Sequence, residues 1–272
     1  PLARRARRAV LLSGTPLVSR AEDAHPLLEA LLPEGSLPPV GDFAARYKET
    51  RRGPAVAQAL VGSGSCVKAA RTRAVRVRRL QEMHTVLGSV MVRRLKSQLL
   101  PQLPPKWRQR VELELGACGN GAAAKTLVDT GDEKALQRSF ADACGLKSRH
   151  VADYVRCLLD AGVKFLLFAH HLRMLDDLQR LVEAERVEYV RIDGGTPLPE
   201  RAAAVSRFQE SPSVKVALLS LTACSQGLTL TAASLVVFAE LFWVPGVLLQ
   251  AEDRAHRLGQ ANPVTVQYLV AP

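Results

Sequence analysis

The sequence has no stretch of roughly 18 uncharged apolar residues, the length an α-helix needs to cross a bilayer. Its most apolar run, 228–250, is interrupted by Glu240 and Pro245 and carries Thr and Ser, which suits a buried strand followed by a turn. No CxxC pair occurs. The five cysteines (Cys66, Cys118, Cys144, Cys157, Cys224) are widely spaced and odd in number, which argues against a zinc site or a disulfide framework and for a reducing compartment. The phosphate loop GxxxxGK[ST] is missing too, because Gly145-Leu146-Lys147-Ser148 has neither the upstream glycine nor a preceding strand. Also missing is an Asp-Glu-x-His phrase of the kind that holds magnesium and activates water. Arg4, Arg5, Arg7 and Arg8 are not followed by the apolar segment and cleavage site of a signal peptide. The first residue is Pro rather than Met, and the chain is expected to be a piece of a longer protein. Internal repeats and low-complexity tracts are absent.

What is present is globular chemistry: 272 residues, 47% hydrophobic and 23% charged, enough apolar mass for a sizeable core or two. The net charge of +11 is unevenly distributed. Residues 1–115 hold 21 Lys/Arg against 9 Asp/Glu, whereas 116–150 carry a net +1 and 151–272 a net −2. A one-sided basic excess suits a polyanion such as DNA. It also suits a solvated basic surface kept for solubility.

The last third alternates strands and helices. Val163–Ala169, Val187–Ile192, Val214–Leu219, Leu235–Leu241 and Val264–Val270 read as buried strands. Leu172–Arg186, Pro199–Glu210 and Val247–Leu258 read as helices, the first with Leu172, Leu175, Leu178, Leu181 and Val182 at helical spacing. Such βαβ units predict an α/β fold, a parallel sheet with helices on both faces. Ligands in these sheets gather at the carboxyl ends of the strands. Upstream, His84–Leu103 reads as one helix with a basic face at Arg93, Arg94 and Lys96, stopped by Pro101, Pro104 and Pro105. Residues 33–66 are rich in Pro, Gly and Ser, and 116–147 begin as a linker and become a modest helix near Asp132–Ala143. Ala9–Leu12 reads as an apolar strand ending in the Ser13-Gly14-Thr15-Pro16 turn.

The run QAEDRAHRLGQ (Gln250–Gln260) carries the most chemistry. On a continuous helix Gln250, Arg254 and Arg257 share one face. Two guanidiniums projecting together suit phosphate oxygens, because arginine stays ionised and binds through a planar fork. The alternative from spacing is a helix whose Glu252 and Asp253 pair with its own arginines. His170 and His171, adjacent in a strand, point to opposite faces and do not chelate one metal; a structural or phosphate-adjacent role fits them. Trp243 suits base stacking or packing, Cys224 a small core position, and Asp193 a cap of the following turn.

QAEDRAHRLGQ resembles motif six of the Swi/Snf-type branch of superfamily-two helicases almost letter for letter. Other motifs follow in the family's order. Leu12–Pro16 resembles motif three, and Phe168-Ala169-His170-His171 motif four. Arg191-Ile192-Asp193-Gly194 resembles the motif after it, with Glu200-Arg201 and Arg207-Phe208 downstream. Ser220–Thr229 resembles motif five. Val18-Ser19-Arg20, Phe238–Gly246 and Met91–Lys96 with Leu103–Lys106 are closer to the annealing-helicase (HARP-like) subgroup than to nucleosome remodelers.

The resemblance implies a division into the end of a first RecA-like lobe (1–20), a helical basic inter-lobe segment (21–115), a linker and helix (116–150), and a second RecA-like lobe (151–272). It implies an ATP-dependent DNA translocase or annealing helicase acting on branched or forked DNA in replication-fork repair in the nucleus, with ATP and Mg2+ as cofactors. Arg254 and Arg257 would be arginine fingers facing the ATP phosphates, with Gln250 and Gly227 in the same cleft. Thr222 would couple nucleotide state to DNA, and Ser13 and Thr15 would relay between the two. Arg93, Arg94, Lys96 and His170 would serve DNA contact or coupling. Single-strand-binding or replication-clamp proteins would engage regions outside this chain; neither a membrane nor a metal ligand is implied for it.

In the family the phosphate loop and the acidic phrase stand upstream of the SGTP turn, so the chain alone is expected to be inactive. The Arg-rich stretch at Arg71, Arg73, Arg76, Arg78 and Arg79 departs from the family, either as an insertion touching DNA phosphates or as plain surface. Rival readings are a nucleosome-remodelling ATPase and a catalytically silent DNA-binding module.

Overall fold

A computed structural model describes residues 6–13, 21–47, 79, 81–113, 133–223 and 227–271. Thr15, Cys224 and the arginines from Arg71 to Arg78 lie outside the described residues. The chain divides into two compact units, Pro1–Leu99 and Leu100–Pro272.

The regular elements described in the first unit are helices. A 3₁₀ turn, Ala21–Ala24, leads into α1 (His25–Leu31), followed by α2 (Val40–Tyr47), a helix α3 through residues 81–90, and α4 (Lys96–Leu99). Ala24, Leu28, Phe43, Met83 and Leu87 form its buried cluster, one or two from each of the first helices. Phe43 lies edge-on to His25 at 5.1 Å, and the His25 ring is fixed by a 2.9 Å hydrogen bond between Nε2 and the Pro38 carbonyl. Glu82 on α3 accepts from Arg46 and Tyr47 of α2.

Two expectations fail in this unit. Residues 91–95 are not helical, so Arg93 and Arg94 stand on an exposed connection between α3 and α4 rather than with Lys96 on one helix face. The apolar stripe explains this, since Met83 and Leu87 are buried and no residue beyond Met91 joins the cluster. Ala9–Leu12 is not a strand either. Val10 and Leu12 are 83% and 94% exposed, and an apolar run becomes a strand only where a neighbour takes its backbone hydrogen bonds.

The second unit is a six-stranded, all-parallel sheet. Its strands are β1 (Lys106–Glu112), β2 (Phe165–Ala169), β3 (Glu188–Ile192), β4 (Val214–Ser220), β5 (Leu235–Phe238) and β6 (Val264–Val270), in the spatial order β1-β6-β5-β2-β4-β3. Among the described residues four helices accompany it: α5 (Glu133–Asp160), α6 (Leu172–Ala184), α7 (Leu198–Glu210) and α8 (Pro245–Glu252). The fold is α/β, with the parallel sheet and flanking helices that the resemblance to a RecA-like lobe implied. In β2 every residue is buried, and successive side chains enter opposite cores. Phe165, Leu167 and Ala169 pack with Val151 and Val155 of α5 and with Met174, Leu175 and Leu178 of α6. Leu166 and Phe168 pack with Phe208 of α7 and with Ala251 of α8. Burial on both faces is why these strands read as continuous apolar runs.

The strand β1 lies inside the segment read as helical and basic (21–115), so the sheet begins well before residue 151. Its sequence, KWRQRVE, has no apolar run, because it is an edge strand with most side chains exposed. The outer flank of β6 recruits it, in register from Lys106 opposite Val264 to Glu112 opposite Val270. The helix expected near Asp132–Ala143 instead continues to Asp160 as α5, carrying Val151 and Val155 onto the sheet.

Candidate functional site

The chemistry-bearing residues of the sheet unit fall into two groups. The first sits where β2, β4 and β5 end side by side, the place where the strand order reverses and where parallel sheets offer their loops. Glu240, just past β5 and buried, organises it. One carboxylate oxygen accepts the backbone N–H groups of His170 and His171 at 2.9 and 2.8 Å, and the other lies 2.7 Å from His171 Nδ1. A single acid thus fixes the turn from β2 into α6. Burial and the neighbouring His171 push the His170 imidazole below its usual pKa, against an opposing pull from Glu240, so it is neutral at physiological pH. Beside it the exposed Thr222 exchanges a 2.9 Å hydrogen bond with Ser220 at the end of β4. Trp243 is 47% exposed rather than packed away.

The second group is the arginine run, and here the helix expectation is corrected. The helix α8 ends at Glu252, not Leu258. Beyond it the chain turns tightly: Arg254 N donates to the Ala251 carbonyl, Ala255 and His256 N to Glu252, and Arg257 N to Ala255. Gln250, Arg254 and Arg257 therefore do not share one helical face. Tertiary contacts override the helical spacing. The side chain of Glu252 is fully buried and is held by Lys106 Nζ at 2.7 Å, by both Nε and Nη2 of Arg108 at 2.9 and 2.8 Å, and by the Tyr268 hydroxyl. Asp253 lies 3.3 Å from the same lysine, so Glu252 and Asp253 engage β1. Burial works to raise the Glu252 pKa, but the hydrogen bonds from Arg108, Lys106 and Tyr268 outweigh it and hold the carboxyl below the ordinary range.

The far end of the run is held from the other side. The buried Gln260 amide donates to the carbonyls of Thr231, Ala233 and Ala255, and its oxygen accepts from Asn262 N. By taking the Ala255 carbonyl it occupies the acceptor that a continuing helix would use, and Gly259, at φ +97°, supplies the reversal. Leu230 N donates to the Arg254 carbonyl at 2.9 Å, and His256 Nε2 lies 2.8 Å from the Pro104 carbonyl. The segment 253–260 is thus fixed where β1, β5 and β6 begin. Gln260→Leu is expected to lower the unfolding free energy of the chain by about 2–3 kcal/mol, as buried carbonyls lose their donor; a loss within about 0.5 kcal/mol in denaturant titration would show that the amide is no clamp.

Arg257 is exposed on this turn, with Nη1 3.3 Å from the Thr229 hydroxyl. Arg254 is half-buried and Gln250 partly exposed, while Gly227 begins the described connection 227–234. The fold thus brings Arg254, Arg257 and residues 229–231 together. His170 and Thr222 lie instead at the carboxyl ends of the strands. Ser13, Arg93, Arg94 and Lys96 belong to the other unit. Sequence reasoning passed over Glu240 and Gln260 as working residues. A lone acid closing the apolar run 235–239 was the available signal for Glu240.

Residues 147–259 match the helicase conserved C-terminal domain and residues 3–122 the SNF2-related domain. The human DNA annealing helicase and endonuclease ZRANB3 is 39% identical over 294 residues, which cover 100% of this chain and 25% of that protein. The SWI/SNF-related matrix-associated actin-dependent regulator of chromatin subfamily A-like protein 1 of Xenopus tropicalis is 39% identical over 284 residues, covering 100% of this chain and 28% of that one. The solved C-terminal part of the Fun30 ATPase domain matches with a TM-score of 0.42 at 28% identity, over 44% of this chain and 40% of that chain. The chain spans about a quarter of the length of these curated relatives. With the helicase motifs in order along the sequence and two family matches in series, the chain belongs to the Swi/Snf-type, SNF2-related branch of the superfamily-two helicase-like proteins.

Proposed function

We propose that this chain supplies the second motor lobe of an ATP-driven DNA translocase of the annealing-helicase kind, acting in the nucleus on branched or forked DNA during replication-fork repair. The observation that carries the reading is the arginine turn. Arg257 presents an exposed guanidinium from a backbone tied down on both sides, met at Nη1 by the neutral Thr229 hydroxyl. Such a group suits an anionic phosphate oxygen and needs no rearrangement to receive one. Bound ATP would supply the phosphoryl group, and Arg254 and Arg257 would neutralise the charge that develops on its phosphates as a first lobe closes against this one.

In this reading Gln250 and Gly227 border the same cleft, Ser13, Thr15 and Thr222 couple nucleotide state to the tracked strand, and Arg93, Arg94, Lys96 and His170 serve the DNA side. The neutral His170 offers hydrogen bonds rather than charge. Among the described residues no group of three His, Cys, Asp or Glu side chains is placed to hold a metal. By the family resemblance the acids that hold Mg2+ belong to the first lobe, and no step is assigned to Mg2+ on this chain.

The test is phosphate release. The 272-residue chain mixed with ATP and fork DNA is expected to stay at background, and the intact protein to hydrolyse ATP with more stimulation by fork DNA than by nucleosomes. DNA binding by the intact protein should weaken steeply with salt, because phosphate contacts dominate it. Greater stimulation by nucleosomes would favour a remodelling motor, and an intact protein without turnover would favour a silent DNA-binding module. Robust release by the chain alone would overturn the assignment of the phosphate cradle to another lobe.

A further inference from the structure

We infer that Glu252 is a positioning residue for the arginine turn: its buried carboxylate, gripped by Lys106 and Arg108 of β1 and Tyr268 of β6, fixes the backbone from which Arg254 and Arg257 project. The inference rests on the proposed function for the use of those arginines, but its structural half stands apart from it.

Three features of Glu252 coincide. The side chain is fully buried and carries three hydrogen-bonding partners from two strands. Its own carbonyl ends the helix, accepting from both Ala255 and His256. It stands two residues before Arg254. A buried carboxylate with two cations adds little stability over a well-packed apolar side chain of the same size, because desolvation offsets the attraction. Its distinctive property is direction: the bidentate Arg108 fork and the lysine accept one orientation of the carboxylate.

The neighbouring contacts repeat the attachment. Asp253 reaches Lys106 at 3.3 Å, and His256 reaches the Pro104 carbonyl at 2.8 Å. The arginine turn is therefore held on one flank by residues 104–108 and on the other by residues 230–233. Strand β1 is thus more than an added edge to the sheet: it sets where the arginines stand.

The experiment uses two variants and a control. Glu252→Gln keeps size and removes charge, and Arg108→Gln removes the fork from a side chain that is 48% exposed, so folding is spared. Leu178→Ala, in the core of α6, is the control for destabilisation without contact to the turn. In the 272-residue chain, Glu252→Gln and Arg108→Gln are expected to raise amide hydrogen exchange of the 253–260 peptide at least tenfold while peptides from β2 and β4 stay unchanged. In the intact protein both should lower kcat for DNA-stimulated ATP hydrolysis at least tenfold with KM for ATP within twofold, at a temperature where thermal melts show them folded. Leu178→Ala, with an equal or greater loss in Tm, should leave kcat within twofold.

Unchanged exchange at 253–260 overturns the inference, and so does a kcat loss matched by Leu178→Ala. If the intact wild type shows no ATP turnover, the proposed function fails, and the exchange measurement alone decides whether Glu252 positions the turn.

Discussion

Arg254→Ala or Arg257→Ala in the intact protein is expected to lower DNA-stimulated ATP turnover by about 10³–10⁵-fold, the range for removal of an arginine that meets a transferring phosphoryl group. The effect should fall on kcat, because charge that develops in the transition state is what the guanidinium meets. Arg257 is exposed, and the fold does not depend on it, so Arg257→Ala should melt at nearly the wild-type temperature. The half-buried Arg254 should also cost some stability. Lysine at either position restores charge without the planar fork and is expected to recover only part of the rate. Steady-state kinetics with saturating fork DNA measures this. Turnover within tenfold of wild type for both alanine variants would remove these residues from the phosphate site.

The second large effect concerns stability. Glu252→Ala leaves Lys106 and Arg108 facing a vacated buried site and should cost about 3–5 kcal/mol, toward the lower figure because the half-exposed Arg108 can return to water. The pH dependence has a definite sign. The carboxyl of Glu252 is held below its ordinary value in the folded chain, so its contribution is present above the ordinary carboxylate range and is lost as pH falls through the folded value. The gap in unfolding free energy between wild type and Glu252→Ala should be full at neutral pH and narrow below about pH 4. Denaturant titrations at a series of pH values read it. A gap independent of pH would mean that the charge is not what Glu252 contributes.

The buried strands of the sheet were legible as runs. Val264–Val270 matches its strand end to end and Val214–Leu219 lies within β4, while Val163–Ala169 and Leu235–Leu241 overrun β2 and β5 at one end, because central parallel strands need apolar side chains on both faces but an apolar run can continue past the last ladder bond. Strand β1 was not legible. Its residues alternate charge with Trp, Gln and Val, and only pairing with β6 makes them a strand. The helix over 247–258 was misread for the same kind of reason. Its spacing is helical, but Gln260 takes the Ala255 carbonyl that a continuing helix would use, while Lys106 and Arg108 hold the Glu252 side chain against β1. Residues 91–95 look helical by pattern and are not, since the buried stripe of that unit ends before them.

The sequence by itself therefore determined the α/β sheet, the family and which residue types suit a phosphate, because these rest on apolar runs and on long contiguous motifs. Only the tertiary structure decided how that chemistry is mounted. It separated the His170–Glu240 turn from the arginine run, ended α8 at Glu252, and fastened Arg254 and Arg257 between β1 and the connection before β5. Those outcomes depend on hydrogen bonds and ion pairs between residues distant in sequence, from His170 and Glu240, 70 positions apart, to Arg108 and Glu252, 144 apart. No local pattern contains them.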